Sequence, residues 1–266
     1  MLKDITIGQY IPGNSLIHRL DPRTKILAVI FYMTGLFIIN NAYGYYFILL
    51  FSLAIILLSQ VPIKLYLRGL KPLLIIIILT VSLHIFMTPG TVIAQLGPLV
   101  VTKEGLRQGI FMGTRLILLV TVTSVLTLTT TPISLTDGIE KLLNPFKKIG
   151  VPAHELAMMM TIALRFIPTL IEETDKIMKA QMARGADFES GNIIQRAKAL
   201  IPLLVPLFLG AFRRADDLAM AMEARCYRGG DNRTRMKQLM YTSLDTGAMV
   251  ITALFLVVTI YSRIAG

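Results

Sequence analysis

Between Tyr45 and Ser59 the chain carries no charged side chain, and the run is made almost wholly of Leu, Ile, Phe, Tyr and Ala. A helix that is apolar on every side has no face to turn toward water, so it belongs in a large core or in lipid. Comparable runs extend over Pro22–Asn40, Pro72–Met87, Gly105–Thr130 and Thr246–Tyr261. A 266-residue chain that is 54% hydrophobic and only 16% charged, with a mean hydropathy of +0.66, is too apolar for a soluble domain of this size. The expected fold class is therefore an all-α membrane protein with five transmembrane helices.

Local signals bracket each run. Asp21-Pro22 reads as an N-cap followed by proline at the first helical position. A helix from Pro22 to Asn40 would be about 28 Å long, close to one bilayer core, and Arg23 and Lys25 in its first turn can reach the headgroups. Asn40-Asn41 and Gly44 mark a tight exit, and Gln60-Val61-Pro62 ends the second run. Lys64, Arg68 and Lys71 decorate a short connector before Pro72 opens the third. Thr88–Glu104 differs: Pro89, Gly90, Gly97 and Pro98 surround two β-branched stretches, Thr91-Val92-Ile93 and Val100-Val101-Thr102, which predicts a small extracellular hairpin or loop. In the fourth run, threonine hydroxyls can bond back to helix carbonyls.

The net charge of +11 would suit a nucleic-acid partner if it lay on one face, but the basic residues sit between the apolar runs, as the positive-inside rule requires, and no nucleic acid is expected. With the N-terminus in the cytoplasm, Arg19, Arg23, Lys25, Lys64, Arg68, Lys71 and the basic region from Lys141 to Lys237 all fall inside. Only Lys103, Arg107 and Arg263 fall near outer ends, so the C-terminus lies outside. The expected organisation is a cytoplasmic segment 1–21, transmembrane helices 1–4 over 22–131, a cytoplasmic region 132–240, and the fifth helix with the C-terminus over 241–266. Asp4 and its polar neighbours do not read as a cleaved signal peptide. A single cysteine, Cys226, rules out an intrachain disulfide.

Within the cytoplasmic region the chain repeats itself. Ala180-Gln181-Met182-Ala183-Arg184 returns 41 residues later as Ala221-Met222-Glu223-Ala224-Arg225, and the acid nine positions before each arginine, Asp175 and Asp216, returns at the same offset. Such a period means one supersecondary unit used twice. Both copies are rich in helix formers and stop at glycine, Gly185 in the first and Gly229-Gly230 in the second, so two related helices end in an arginine. Two apolar stretches here, 156–171 and 199–212, are interrupted by Arg165 and Pro168 and by Pro202 and Pro206, and each is short of the roughly 20 residues a span needs. They read as parts of long helices with one end under the membrane bundle; a membrane hairpin is the alternative. Ile133–Ile149 reads as an amphipathic interfacial helix.

Sites of known chemistry are scarce. No Walker A loop is present, and His18, His84 and His154 have no spacing suited to a metal. His18 is expected to bond locally in the N-terminal segment. Glu172-Glu173 and Asp216-Asp217 are expected as solvated faces or ion pairs with Lys176, Arg213 or Arg214. Arg115 lies inside the fourth run, either as an intramembrane functional charge or reaching out to the headgroups. The methionines Met158–Met160, Met178, Met182, Met220 and Met222 suit either core gaps or an adaptable surface.

The block Gly8-Gln9-Tyr10-Ile11-Pro12-Gly13-Asn14-Ser15-Leu16-Ile17-His18-Arg19-Leu20-Asp21-Pro22-Arg23-Thr24-Lys25, followed by Ala183-Arg184-Gly185 and Ala224-Arg225-Cys226, resembles the transmembrane T component of energy-coupling factor (ECF) vitamin transporters, bacterial importers of the ATP-binding-cassette class, over essentially the whole chain. The resemblance implies a coupling subunit that joins two cytoplasmic ATPases, a heterodimer in the simplest case, to a separate substrate-binding membrane subunit that captures a vitamin or similar micronutrient. By position, Arg184 and Arg225 would dock into the two ATPases, with Ala183, Gly185, Ala224 and Cys226 as their neighbours. ATP and Mg would be held by the partners, and this chain would be neither an enzyme nor a cofactor carrier. Cys226 departs from the glycine most common in the family's second motif. The rival readings are a membrane-embedded enzyme using Arg115, His84 or His154, and a stand-alone secondary transporter, which would show inverted repeats within its spans.

Overall fold

The computed structural model describes residues 10–96, 99–188, 192–229 and 238–265. Gly8, Gln9, Gly97, Pro98, Gly230 and Lys237, which figure in the sequence reading, lie outside these residues, as does Asp4.

In chain order the described elements are α1 (Leu16–Arg19), α2 (Pro22–Ile38), α3 (Ala42–Ser59), α4 (Ile63–Leu70), a 3-10 turn at Lys71–Leu73, α5 (Leu74–Met87), β1 (Val92–Leu96), β2 (Leu99–Thr102), α6 (Lys103–Thr129), α7 (Pro132–Leu143), a 3-10 stretch at Asn144–Ile149, α8 (Ala153–Ala183), α9 (Ile193–Ala224) and α10 (Ser243–Ala265). This is an all-α membrane protein with one small antiparallel hairpin, whose register pairs Val92 with Thr102 and Leu96 with Leu99. The chain divides into two compact units. One is built from Gly8–Gly138 and Leu239–Gly266, the other from Ile139–Gln238.

The first unit is a bundle around one aromatic cluster. Phe255 of α10 stacks on Tyr32 of α2 at 5.5 Å between ring centroids and on Phe51 of α3 at 4.3 Å. Leu36, Ile39, Ile48, Leu118 and Val122 fill the space around them. Tyr32 is buried with its polar end satisfied, the hydroxyl 2.6 Å from Ser52 Oγ. Helices α5 and α6 pack on a ladder of small residues, Gly105, Gly109 and Gly113, one turn apart. A Cβ at Gly105 would lie 2.7 Å from the His84 carbonyl oxygen, and one at Gly113 would lie 2.9 Å from Val81. Lipid offers apolar contacts as good as a neighbouring leucine, so close backbone approach of this kind is what holds membrane helices together.

Six described helical segments are long and apolar enough to cross a membrane: Ala42–Ser59, Ile63–Met87, Lys103–Thr129, Ala153–Ala183, Ile194–Ala224 and Ser243–Ile264. Four of them match runs expected from the sequence. The expected first span is the 17-residue α2, and the third begins earlier than expected, because α4 continues through the Pro72 turn into α5.

The second unit corrects one sequence expectation and meets another. The amphipathic helix foreseen at Ile133–Ile149 ends at Leu143, since Pro145 cannot donate the next hydrogen bond, and the chain tightens into a 3-10 stretch. The apolar stretches 156–171 and 199–212 are parts of long helices, as expected, and their prolines do not end them. Helix α8 runs unbroken for 31 residues through Pro168, and α9 for 32 residues through Pro202 and Pro206. Pro202 and Pro206 lie among largely exposed residues, and the carbonyl of Pro202 accepts from Gln181 Nε2. The start of α9 is fixed by a capping box between Asn192 and Gln195.

Candidate functional site

The repeated pentapeptide ends each long helix in the same way. In α8, the Gly185 N–H donates to the Met182 carbonyl and the Ala186 N–H to the Gln181 carbonyl, both at 3.0 Å. In α9, the Cys226 N–H donates to the Glu223 carbonyl at 2.8 Å and the Tyr227 N–H to the Met222 carbonyl at 3.0 Å. This paired pattern is a Schellman cap, which satisfies the last carbonyls only if the residue after the cap turns left-handed. Gly185 does so with φ +88° and Cys226 with φ +56°. Arg184 and Arg225 are thus the two capping residues, with φ, ψ of −89°, 8° and −92°, 14°. Ala183, Arg184, Gly185, Ala224, Arg225 and Cys226 are all exposed, and a Cβ added at Gly185 would meet nothing within 4 Å. The glycine of the first motif serves backbone conformation rather than space.

Helices α8 and α9 run antiparallel along their length. Gln181 Nε2 donates to the Pro202 carbonyl at 3.4 Å, Glu173 pairs with Arg214 at 2.6 Å, and the Tyr227 hydroxyl donates to Met158 Sδ at 2.9 Å. The two arginines therefore do not meet. Arg225 sits beside the Met158 end, and Arg184 lies 26 residues further along α8, about 40 Å away at 1.5 Å per residue. Of the acids singled out in the sequence, Asp175 pairs with Lys179 one turn on at 2.7 Å. Glu173 takes up the expected partnership with Arg214, and Asp216 is exposed. Apolar side chains of α9, among them Leu204, Phe208 and Phe212, are exposed.

The N-terminal block proves to be a polar clasp at one end of the bundle. Asp21 caps α2 through the Arg23 N–H at 2.8 Å and holds the Arg23 guanidinium at 2.8 Å. The Asp21 N–H donates to Asp245 Oδ1 at 2.7 Å, and Asp245, fully buried, also accepts from the Thr242 N–H and hydroxyl at 2.8 and 2.6 Å. Lys25 is buried rather than reaching toward headgroups. Its ammonium donates to the carbonyls of Thr129 (2.9 Å) and His18 (3.3 Å) and lies 3.2 Å from Thr130 Oγ1. His18 bonds locally, to Ser15 at 2.6 Å and to the Ile11 carbonyl at 3.1 Å. These contacts tie α2, the end of α6 and the start of α10 together; in the sequence the cap at Asp21 and the local bonding of His18 are visible, and the long-range contacts are not.

Arg115 does not extend to a rim. It is 9% exposed, and Nη2 donates to the Ile39 carbonyl at 2.8 Å. His154 lies 3.1 Å from Glu140, and among the described residues no group of three or more His, Cys, Asp or Glu side chains could hold a metal ion.

Comparison with known proteins agrees with this architecture. The family model CbiQ, described as cobalt transport protein, matches residues 13–236. A curated protein of Thermosediminibacter oceani, named energy-coupling factor transporter transmembrane protein EcfT, is 66% identical over 98% of this chain and 99% of its own length. Proteins of the same name from Clostridium kluyveri and Bacillus subtilis are 60% and 53% identical, over 99% and 94% of this chain and 98% and 95% of their own lengths.

Proposed function

The chain belongs to the family of energy-coupling factor transporter transmembrane proteins, and from that premise we propose that it is the coupling subunit that transmits ATP-driven motion from two cytoplasmic ATPases to a substrate-binding membrane subunit. As a family member it is a multi-pass membrane component of a transporter. The ATPases of the ATP-binding-cassette class carry ATP and Mg, the partner membrane subunit carries a vitamin or similar micronutrient, and this chain performs no chemistry of its own. The N-terminus and the 132–240 region face the cytoplasm, and the C-terminus faces outward.

The observation that carries the reading is the identical build of the two caps at opposite ends of one antiparallel helix pair. Each places a guanidinium, with small alanine beside it, on an exposed helix end that can enter a groove. Arginine keeps its charge when desolvated and presents a rigid fork of donors suited to carboxylates. ATP binding draws the two ATPases together, the docked ends follow, and the apolar sides of α8 and α9 shift against the substrate-binding subunit, which reorients and releases its cargo.

The test is a pull-down of the ATPases with uptake measured in parallel. Truncating one docked arginine leaves a partner carboxylate unpaired at a cost of roughly 2–5 kcal/mol, on the order of tens to several thousandfold in affinity at that site. Because the two sites are tethered, the second masks part of this loss through effective concentration. Arg184→Ala or Arg225→Ala alone should weaken assembly, the double variant should release both ATPases, and Arg→Lys should restore only part. Asp175→Ala and Asp216→Ala serve as controls that leave assembly intact. Retention of both ATPases with normal uptake by the double arginine variant would overturn the proposal.

A further inference from the structure

At the hairpin end of the bundle, a cavity of about 440 Å³ opens beside the first turns of α6. Its α6 wall is one helical stripe, Arg107, Gln108, Phe111, Met112 and Arg115, facing Asn40 and Tyr45 across the α2–α3 turn. The two arginines differ in setting. Arg107 is exposed at the mouth with its guanidinium over the Phe111 ring at 5.3 Å, whereas Arg115 is nine-tenths buried in the wall.

Among the described residues, no carboxylate pairs with the Arg115 charge. One N–H is spent on the Ile39 carbonyl and another points at the Met112 sulfur, a weak acceptor, at 3.7 Å. The faces of Phe37 and Tyr45 lie 5.6 and 5.9 Å from the guanidinium carbon. Arg115 Nε is buried without a hydrogen-bond partner, beside the buried Tyr45 hydroxyl. The one acid in the cavity wall, Glu104, is already committed, accepting from the Thr91 N–H at 2.7 Å and the Thr91 hydroxyl at 3.1 Å. A buried cation with polar neighbours but no counter-charge is costly, and a buried ionisable group in a membrane bundle marks a site by default.

We propose that this cavity binds a phosphate ester of net negative charge, with Arg115 at its floor, Arg107 at its mouth, and the amides of Gln108 and Asn40 as further donors. Planar, forked guanidinium groups are the side chains best matched to phosphate oxygens. The volume falls in the usual range of small-molecule sites, about 300–1,000 Å³, so it admits a headgroup rather than a bare ion alone. Exposed Ile110 lies one helical turn from Arg107 at the mouth, and this apolar edge makes an anionic phospholipid headgroup the favoured source over soluble phosphate. This site is independent of the docking arginines, which lie in the other unit.

The full chain, purified and placed in bilayer discs of phosphatidylcholine with or without phosphatidylglycerol, provides the test, read by native mass spectrometry of retained lipid and by thermal midpoint. Phosphatidylglycerol is expected to be retained over phosphatidylcholine and to raise the midpoint. Arg107→Gln, at an exposed position that does not threaten folding, and Arg115→Gln should each weaken that retention about tenfold, leaving phosphatidylcholine unchanged. Inorganic phosphate added to phosphatidylcholine discs, raising the midpoint of the parent chain but of neither variant, would keep the site and assign its anion to solution. Equal phosphatidylglycerol retention by the parent and both variants, with no effect of phosphate, would overturn it.

Discussion

Cys226 holds, in the second helix cap, the left-handed backbone conformation that Gly185 holds in the first. A side chain in this conformation brings its Cβ close to the following carbonyl, at a cost of about 1 kcal/mol that glycine avoids. Cys226→Gly should therefore tighten the second cap, slowing amide exchange at Cys226 and Tyr227 by about fivefold. Gly185→Val should loosen the first cap and speed exchange at Gly185 and Ala186. Exchange measured by mass spectrometry on peptides covering each cap checks both.

The helix pair is pinned near its middle by Glu173 and Arg214, which are about three-quarters and two-thirds buried. A Cβ at Gly210 would stand 2.9 Å from Glu173 Oε1, so Gly210→Ala should push the carboxylate off its partner. A double-substitution cycle of Glu173→Gln and Arg214→Gln is expected to return a coupling of about 1 kcal/mol, since the pair is only partly removed from solvent. Gly210→Ala should abolish most of that coupling. Denaturation of the purified chain in mixed micelles gives the four stabilities needed.

The clasp should fail as a folding element, not as a docking one. Asp245→Ala leaves the buried Asp21 N–H without its acceptor, an orphan that costs about 1–3 kcal/mol, and removes the two hydrogen bonds from exposed Thr242. A large fall in the thermal midpoint is expected, together with normal ATPase pull-down by whatever fraction remains folded. The arginine variants should show the reverse, a normal midpoint with lost partners. Any overlap of the two phenotypes would mean that clasp and caps are one functional element.

Topology separates the two placements of α8 and α9. A reporter active only outside the cytoplasm should work when fused after Gly266 and stay silent when inserted near Gly191. Activity at Gly191 would show that the α8–α9 pair crosses the membrane.

Much of this was legible in advance because the signals were local. Asp21-Pro22 announced its helix, and the repeated Ala-Arg pair announced two helix ends, since caps depend on a few neighbouring residues. The long helices α8 and α9 are legible in their runs of helix formers, and Pro168, Pro202 and Pro206 lie inside them without ending them. Pairings over long sequence separations were not legible at all. Nothing local shows that Lys25 bonds to a carbonyl 104 residues away, or that Arg115 turns inward to Ile39. The Gly105, Gly109, Gly113 ladder does carry a local signal, one small residue per helical turn.

Glu173 and Arg214 are themselves 41 residues apart, the same interval that separates the two arginine motifs. The ion pair therefore joins a position in one repeat to its own counterpart in the other, which places it on an approximate twofold axis relating the two helices. At such an axis a surface meets a copy of itself, and identical charged residues would face their own kind. Divergence to an acid in one repeat and a base in the other turns that repulsion into attraction. The two arginine caps keep their equivalence, so the helix pair offers the same end in two opposed directions.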